Sequence, residues 1–209
     1  MSIPHRLPTR SSPTGRACFA LALIIYLCGA LTPATAEQPA ITRAVVSEQD
    51  ISAPRVWGAA GNVVQVKHLY FSAQPDAEGI REAQAAGVEV VINLRHRDET
   101  QWDEATAVTQ AGLAYYQVPI SSEGPGFDQH AMRRISDIVA SHGDQPIWLH
   151  CSSGNRASAW LAVHLVQDHQ MTVEQSLALA RKVGLTNEQL EKRVYDYLAA
   201  EPVAANSGD

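Results

Sequence analysis

Residues 146–158 constrain this chain more than any other stretch. Ile147-Trp148-Leu149 is a short apolar run, and Pro146 before it suits the first residue of a strand. Ser152, Ser153, Gly154 and Asn155 read as a tight turn. From Arg156 onward, Trp160-Leu-Ala-Val163 and Leu165-Val166 describe a helix buried on most of its sides. A strand, a turn of small residues and a helix in succession aim backbone N–H groups and a positive dipole end at one point, which makes an anion site. Cys151 is expected at the mouth of that site, with Arg156 at the helix start. A field that attracts an anion also favours a thiolate.

The N-terminus reads as a secretory signal over residues 1–36. Arg6, Arg10 and Arg16 form a basic leader, Ala17–Leu31 is an uncharged apolar run, and Ala34-Thr35-Ala36 is a small-x-small cleavage site. The run is shorter than a membrane-spanning helix needs, so no stable membrane insertion is expected after cleavage, and the expected location is periplasmic or secreted. The whole chain has 16 basic and 22 acidic residues. The leader removes three arginines and no acid, so the remainder carries a net charge of −9. An acidic exported domain is a poor nucleic-acid binder. Of the three cysteines, Cys18 and Cys28 fall in the leader, which leaves Cys151 with no intramolecular disulfide partner. In an oxidising compartment such a thiol is either buried and inert or chemically used, and its polar turn argues for use.

Residues 37–62 read as an N-terminal extension or linker, with a possible short element at Ile41–Val46. Residues 63–200 read as the folded domain and 201–209 as a disordered tail. Val63–Phe71 alternates as a first strand. Asp76–Ala86 patterns as a helix with Ala77, Ile80 and Ala83 inward, closed by Gly87. Val88–Leu94 is a β-branched run suited to a buried parallel strand, and it ends in the polar cluster Arg95-His96-Arg97-Asp98-Glu99. A helix near Gln101–Ala111, a strand at Ala114–Ile120 and a helix capped by Asp128 follow. Thr172-Val-Glu-Gln175 and Thr186-Asn-Glu-Gln189 have capping-box patterns for two further helices. The alternation implies a single α/β domain: a central, mostly parallel sheet of four to five strands, flanked by helices. Ligands of such sheets bind beyond the strands' carboxyl ends, where Arg95, the Ser121–Phe127 loop and Cys151 should meet.

His150-Cys151, the Ser/Gly turn and Arg156 resemble the signature of cysteine-based protein tyrosine and dual-specificity phosphatases. A closer likeness is to a bacterial branch, the phosphatase-like domain of β-lactamase-hydrolase-like proteins. It is carried by Tyr70-Phe-Ser-Ala-Gln-Pro75, Val91-Ile-Asn-Leu-Arg95, Val118-Pro-Ile120, His150-Cys-Ser-Ser-Gly-Asn-Arg156 and Ala180-Arg-Lys-Val-Gly-Leu-Thr186. The likeness spans about Leu69 to Leu198. Two departures stand out. Four residues separate cysteine from arginine where tyrosine phosphatases have five, and rhodanese-type sulfurtransferases share the shorter loop. The loop in which tyrosine phosphatases keep an acidic aspartate offers Glu123, with Asp128 second.

The resemblance implies phosphomonoester hydrolysis on a phosphorylated small molecule or phosphoprotein, without metal or organic cofactor. Cys151 would be the nucleophile and Arg156 the clamp on the phosphoryl oxygens. Glu123 would be the general acid. Ser152, Ser153, Gly154 and Asn155 would offer backbone N–H groups, His150 would order the loop, and Arg95 would reach the anion from the next strand. His130, His142, His164 and His169 lack metal-ligand spacing. Two rival readings share the loop: a sulfurtransferase carrying a Cys151 persulfide, and a phospho-ligand-binding module without turnover.

Overall fold

The structure is a computed structural model, and it describes residues 46–124 and 127–200. Residues 1–36, read above as a signal, the possible element at Ile41–Val46 apart from Val46 itself, and residues 201–209, read as a tail, lie outside the described residues.

Six strands form one sheet in the order β1-β2-β3-β6-β4-β5. They are β1 (Arg55–Trp57), β2 (Ala60–Val66), β3 (Leu69–Ser72), β4 (Val90–Asn93), β5 (Ala114–Gln117) and β6 (Ile147–His150). The helices are α1 (Ala77–Ala85), α2 (Glu104–Gln110), α3 (Gln129–His142), α4 (Asn155–Gln167), α5 (Val173–Val183) and α6 (Glu188–Ala200). Strands β3, β6, β4 and β5 are parallel, and β1–β2–β3 is an antiparallel meander on one side.

The meander corrects two expectations. Val63–Phe71 is not one strand but parts of β2 and β3, joined through Lys67 and His68, with Val66 opposite Leu69. Lys67 takes φ +53 there, so the turn carries no Gly, Asn or Pro that would announce it. Residues 55–62, read as linker, hold β1 and the start of β2. The sheet therefore gains strands beyond the four or five expected.

Side chains on the two faces of the sheet make two cores. One packs Tyr70, Val91 and Trp148 under α1 and α2 with Trp57, Ile80 and Val108. The other packs Phe71, Ile92 and Leu149 under the remaining helices with Ile135, Trp160, Leu177 and Val194. Both faces are covered, which is why β4 and β6 are buried along their whole length. In α1, Ile80 and Ala83 are buried as expected, but Ala77 at the first position is not. The cap of α6 is Asn187, whose Oδ1 accepts the Leu190 N–H at 3.0 Å, rather than Thr186.

Register sets the site. Ser72, His150, Asn93 and Gln117 stand side by side across the carboxyl ends of β3, β6, β4 and β5. In-register residues of parallel strands share a face. His150 and Asn93 therefore point toward α2, while the chain beyond β6 turns under α4.

Candidate active site

Between β6 and α4 the chain makes the turn Cys151–Gly154. Gly154 has φ +89, and Ala73 bridges to Ser153 across the turn. A left-handed conformation at this point favours glycine. The turn's first N–H, of Cys151, faces the carbonyl of Ser72 at 3.5 Å, and the Sγ of Cys151 accepts the N–H of Gly154 at 3.1 Å. Cys151 has no exposed surface. The sulfur is thus buried within the turn rather than exposed at its mouth. The N-terminal turn of α4 leaves N–H groups without intrahelical partners on the same side.

Arg156 is buried at 2% exposure, and its donors are almost fully assigned. Nη1 and Nη2 meet the two carboxylate oxygens of Glu99 at 2.7 and 2.6 Å, a bidentate pair. Nη1 also donates to the carbonyl of Ile120 at 3.0 Å and approaches that of Leu94 at 3.4 Å. Nη2 further reaches Ser152 Oγ at 3.2 Å. The end of the guanidinium is filled by Glu99, so the edge formed by Nε and Nη2 is the one turned to the cysteine turn. Burial disfavours the Arg156 charge, but the hydrogen bonds of Glu99 and the sulfur of Cys151 more than offset it, and the pKa is raised. On the other side, the hydrogen bonds of Arg156, opposed by partial burial and helped by the His96 backbone and Arg95, bring Glu99 down to about 2.

Glu99 was not among the residues expected here. It follows β4 in a single turn of 3-10 helix, Arg97–Glu99, and its carboxylate also accepts the His96 N–H at 2.8 Å. The sequence shows it only as the second of two acids that close the polar cluster Arg95–Glu99. Arg95, expected at the anion, faces elsewhere. Its Nη1 donates to Gln74 Oε1 at 2.5 Å, Nη2 donates to the Glu99 carbonyl, and Nε lies 3.5 Å from the Glu99 carboxylate. It braces the residue that braces Arg156.

The side chain of Asn155 does more than line the turn. Its Oδ1 accepts the N–H groups of Thr186 and Asn187 at 2.7 and 2.8 Å, tying the turn to the α5–α6 junction. The side chains of Ser152 and Ser153 are exposed at the rim. His150 is buried, with Nε2 2.6 Å from Glu104 Oε1.

Among the described residues no hydrogen bond or ion pair joins the Glu123 side chain to the cysteine turn. Glu123 is exposed and lines a 420 Å³ cleft with Ser122, Gly124, Gln189, Lys192, Arg193 and Asp196, and Cys151 is not part of that cleft. Ser121 Oγ donates to the Glu123 carbonyl and accepts its N–H, so the loop is closed on itself. Asp128, the second candidate, caps α3 by accepting the His130 N–H at 2.9 Å. Arg193 of α6 holds both ends of this loop, donating to the Ser121 carbonyl at 2.9 Å and lying 4.4 Å over the Phe127 ring. Among the described residues no group of three or more His, Cys, Asp or Glu side chains is placed to hold a metal ion.

Residues 58–196 match PTP-NADK, described as a DSP-PTPase phosphatase fused to NAD+ kinase. The chain belongs to this family. Solved structures agree on the fold. TpbA of P. aeruginosa in complex with phosphotyrosine superposes with a TM-score of 0.59 at 19% identity, over 75% of this chain and 93% of that one. PTPMT1 in complex with PI(5)P gives 0.54 at 15%, over 64% and 92%. A DUF442 protein of Shewanella putrefaciens CN-32 gives 0.53 at 21%, over 73% and 95%. No curated protein matches this chain. The cysteine-phosphatase fold expected from the motifs is therefore the fold of this chain, and phosphatase is its class.

Proposed function

We propose that the protein is an exported phosphomonoester phosphatase that works through a phosphocysteine intermediate. The observation that carries this reading is the pairing of a buried sulfur with a guanidinium already locked by Glu99. Cys151 Sγ accepts one turn N–H, and Nη2 of Arg156 reaches Ser152 Oγ in the same turn. An oxyanion entering here meets donors that need no reorganisation. Donors fixed in advance in this way supply most of the rate enhancement at many acyl- and phosphoryl-transfer sites.

The Cys151 thiolate attacks phosphorus, and the ester P–O bond breaks. The departing oxygen takes a proton from water or from the substrate's surroundings. Water then attacks the phosphocysteine, the S–P bond breaks, and inorganic phosphate leaves with the thiolate restored. Arg156 and the N–H groups at the start of α4 hold the non-bridging oxygens throughout. Glu123 is exposed and Asp128 is engaged as a cap, so this reading assigns neither of them as the acid. Proton donation is typically worth ~10²–10⁴ in rate, so aryl phosphates and other esters with good leaving groups are the favoured substrates. Structural relatives hold phosphotyrosine and PI(5)P, which is in keeping with a phosphorylated ligand. The leader read in residues 1–36 supports export.

The test is hydrolysis of p-nitrophenyl phosphate by the chain without residues 1–36, with orthovanadate as inhibitor and Cys151→Ser as control. Vanadate-sensitive turnover that vanishes in the serine variant is the expected result. Turnover that survives in that variant, or thiosulfate:cyanide sulfur transfer in place of phosphate release, overturns the reading.

A further inference from the structure

Glu104 formed no part of the sequence-derived site, yet it is 2% exposed at the start of α2 and takes three hydrogen bonds. Its Oε2 accepts from Gln74 Nε2 at 2.7 Å and from Asn93 Nδ2 at 3.1 Å, and its Oε1 lies 2.6 Å from His150 Nε2.

The direction of the first two bonds is fixed by chemistry. Gln74 Oε1 meets Nη1 of Arg95, and a guanidinium can only donate, so the other end of that amide is the NH₂ facing Glu104. Asn93 Oδ1 accepts the backbone N–H of Arg95 at 2.8 Å, which orients that amide in the same way. Two obligate donors therefore converge on one carboxylate oxygen.

Two arguments then agree on His150. A carboxylate oxygen 2.6 Å from Nε2 calls for a proton on that nitrogen. Nδ1 is buried, and among the described residues no partner reaches it. A proton on Nδ1 would leave an orphaned buried donor, which folded proteins rarely tolerate.

We infer that Glu104 is a positioning residue for the cysteine chemistry: it holds His150 in the Nε2–H form with one ring orientation, and so fixes the strand end that delivers Cys151. The inference rests on the phosphatase reading above. The backbone points the same way, since the His150 carbonyl accepts the Leu94 N–H at 2.9 Å. With ring and carbonyl both held by the neighbouring strand and helix, Cys151 leaves β6 on a single course into its turn. The geometry parallels the carboxylate–histidine pairs that set tautomer and orientation elsewhere.

The test uses ¹⁵N-histidine-labelled protein, in which ¹H–¹⁵N correlations distinguish the two ring tautomers. Wild-type His150, assigned by its loss in His150→Gln, is expected as Nε2–H. In Glu104→Gln the new amide must turn its oxygen to Gln74 and Asn93 and its NH₂ to His150. The proton then moves to Nδ1, and kcat on p-nitrophenyl phosphate falls by about 10- to 100-fold with KM within about twofold. His150→Gln, able to place an amide N–H near the Nε2 position, keeps most of the rate, whereas the shorter His150→Asn loses it. An Nδ1–H ring in the wild type, or an unchanged kcat in Glu104→Gln, overturns the role assigned to Glu104. Should Glu104→Gln fail to fold, the wild-type spectrum and the Gln/Asn pair at position 150 decide. A wild type with Nε2–H but no turnover refutes the phosphatase reading alone, while turnover with an Nδ1–H ring refutes the positioning role alone.

Discussion

Two of the loops at the carboxyl end of the sheet are built in opposite ways. In the Cys151–Arg156 turn nearly every polar side chain has a fixed partner. Arg156 is held by Glu99, Ile120 and Ser152, and Asn155 is held by Thr186 and Asn187. In the Ser121–Gly124 loop the side chains are exposed, the hydrogen bonds run from the loop to itself, and Arg193 reaches it from outside. The first loop is organised before any ligand arrives. The second presents its acid to solvent. Under the proposed reaction, charge stabilisation would be built in and leaving-group protonation would not, so turnover should follow the substrate's own leaving group.

The comparison can be broken most sharply at Arg156. Lysine there keeps the charge but loses the bidentate grip on Glu99 and the free edge, and kcat/KM on p-nitrophenyl phosphate should fall by about 10²–10³-fold. A loss below tenfold would mean that the prebuilt turn is not what stabilises the reaction. Glu99→Gln comes next. It removes one charged hydrogen-bond pair and should cost about 10- to 100-fold in kcat/KM and in vanadate affinity, a hydrogen bond to a charged group being worth ~1.5–3 kcal/mol.

Acid sharpens the same point. Glu99 titrates at about 2 in the folded protein against 4.5 ordinarily, so its pairing contributes fully above 4.5 and is lost as pH falls through about 2. Vanadate binding should therefore persist at pH 5 and stability should decline between about pH 4 and 2. In Glu99→Gln that part of the decline should disappear, which urea titrations across this range will show. Asn155→Ala should cost a more modest ~1–2 kcal/mol in the same titrations, since it strips acceptors from two N–H groups at the α5–α6 junction. The smallest effect belongs to the open loop. Glu123→Gln should leave aryl phosphate turnover within about twofold, and a loss of about 10²-fold or more on alkyl phosphates would show that the loop closes to deliver an acid.

What could be read from residues alone divides along the same line as the two loops. The β6–turn–α4 unit was legible because its signals are local: an apolar run, small residues, then a helix that is apolar on most of its sides. The caps at Asp128 and Thr172 were legible for the same reason, whereas Asp76, read as the first residue of its helix, is that helix's cap. The hairpin at Lys67 was not, because its positive φ falls on a residue type that gives no warning. Glu99 and Glu104 were not legible either. Each is an ordinary acid in a polar stretch, and only the packing of α2 and the segment before it against the ends of β4 and β6 turns them inward. Arg95 illustrates the converse. Its position at the end of β4 was right for an anion contact, but two acceptors, Gln74 and the Glu99 backbone, lie closer.

The reach of Asn155 has one more consequence. A single amide, at the first position of α4, is also the clasp on which the last helix of the fold is seated. Whatever lifts that helix, whether a binding partner, a nick in the connecting segment or a shortened C-terminus, pulls on the end of the Cys151–Gly154 turn. α6 is therefore a handle on the geometry of the turn, although it acts from the far side of that clasp and not through the sulfur itself.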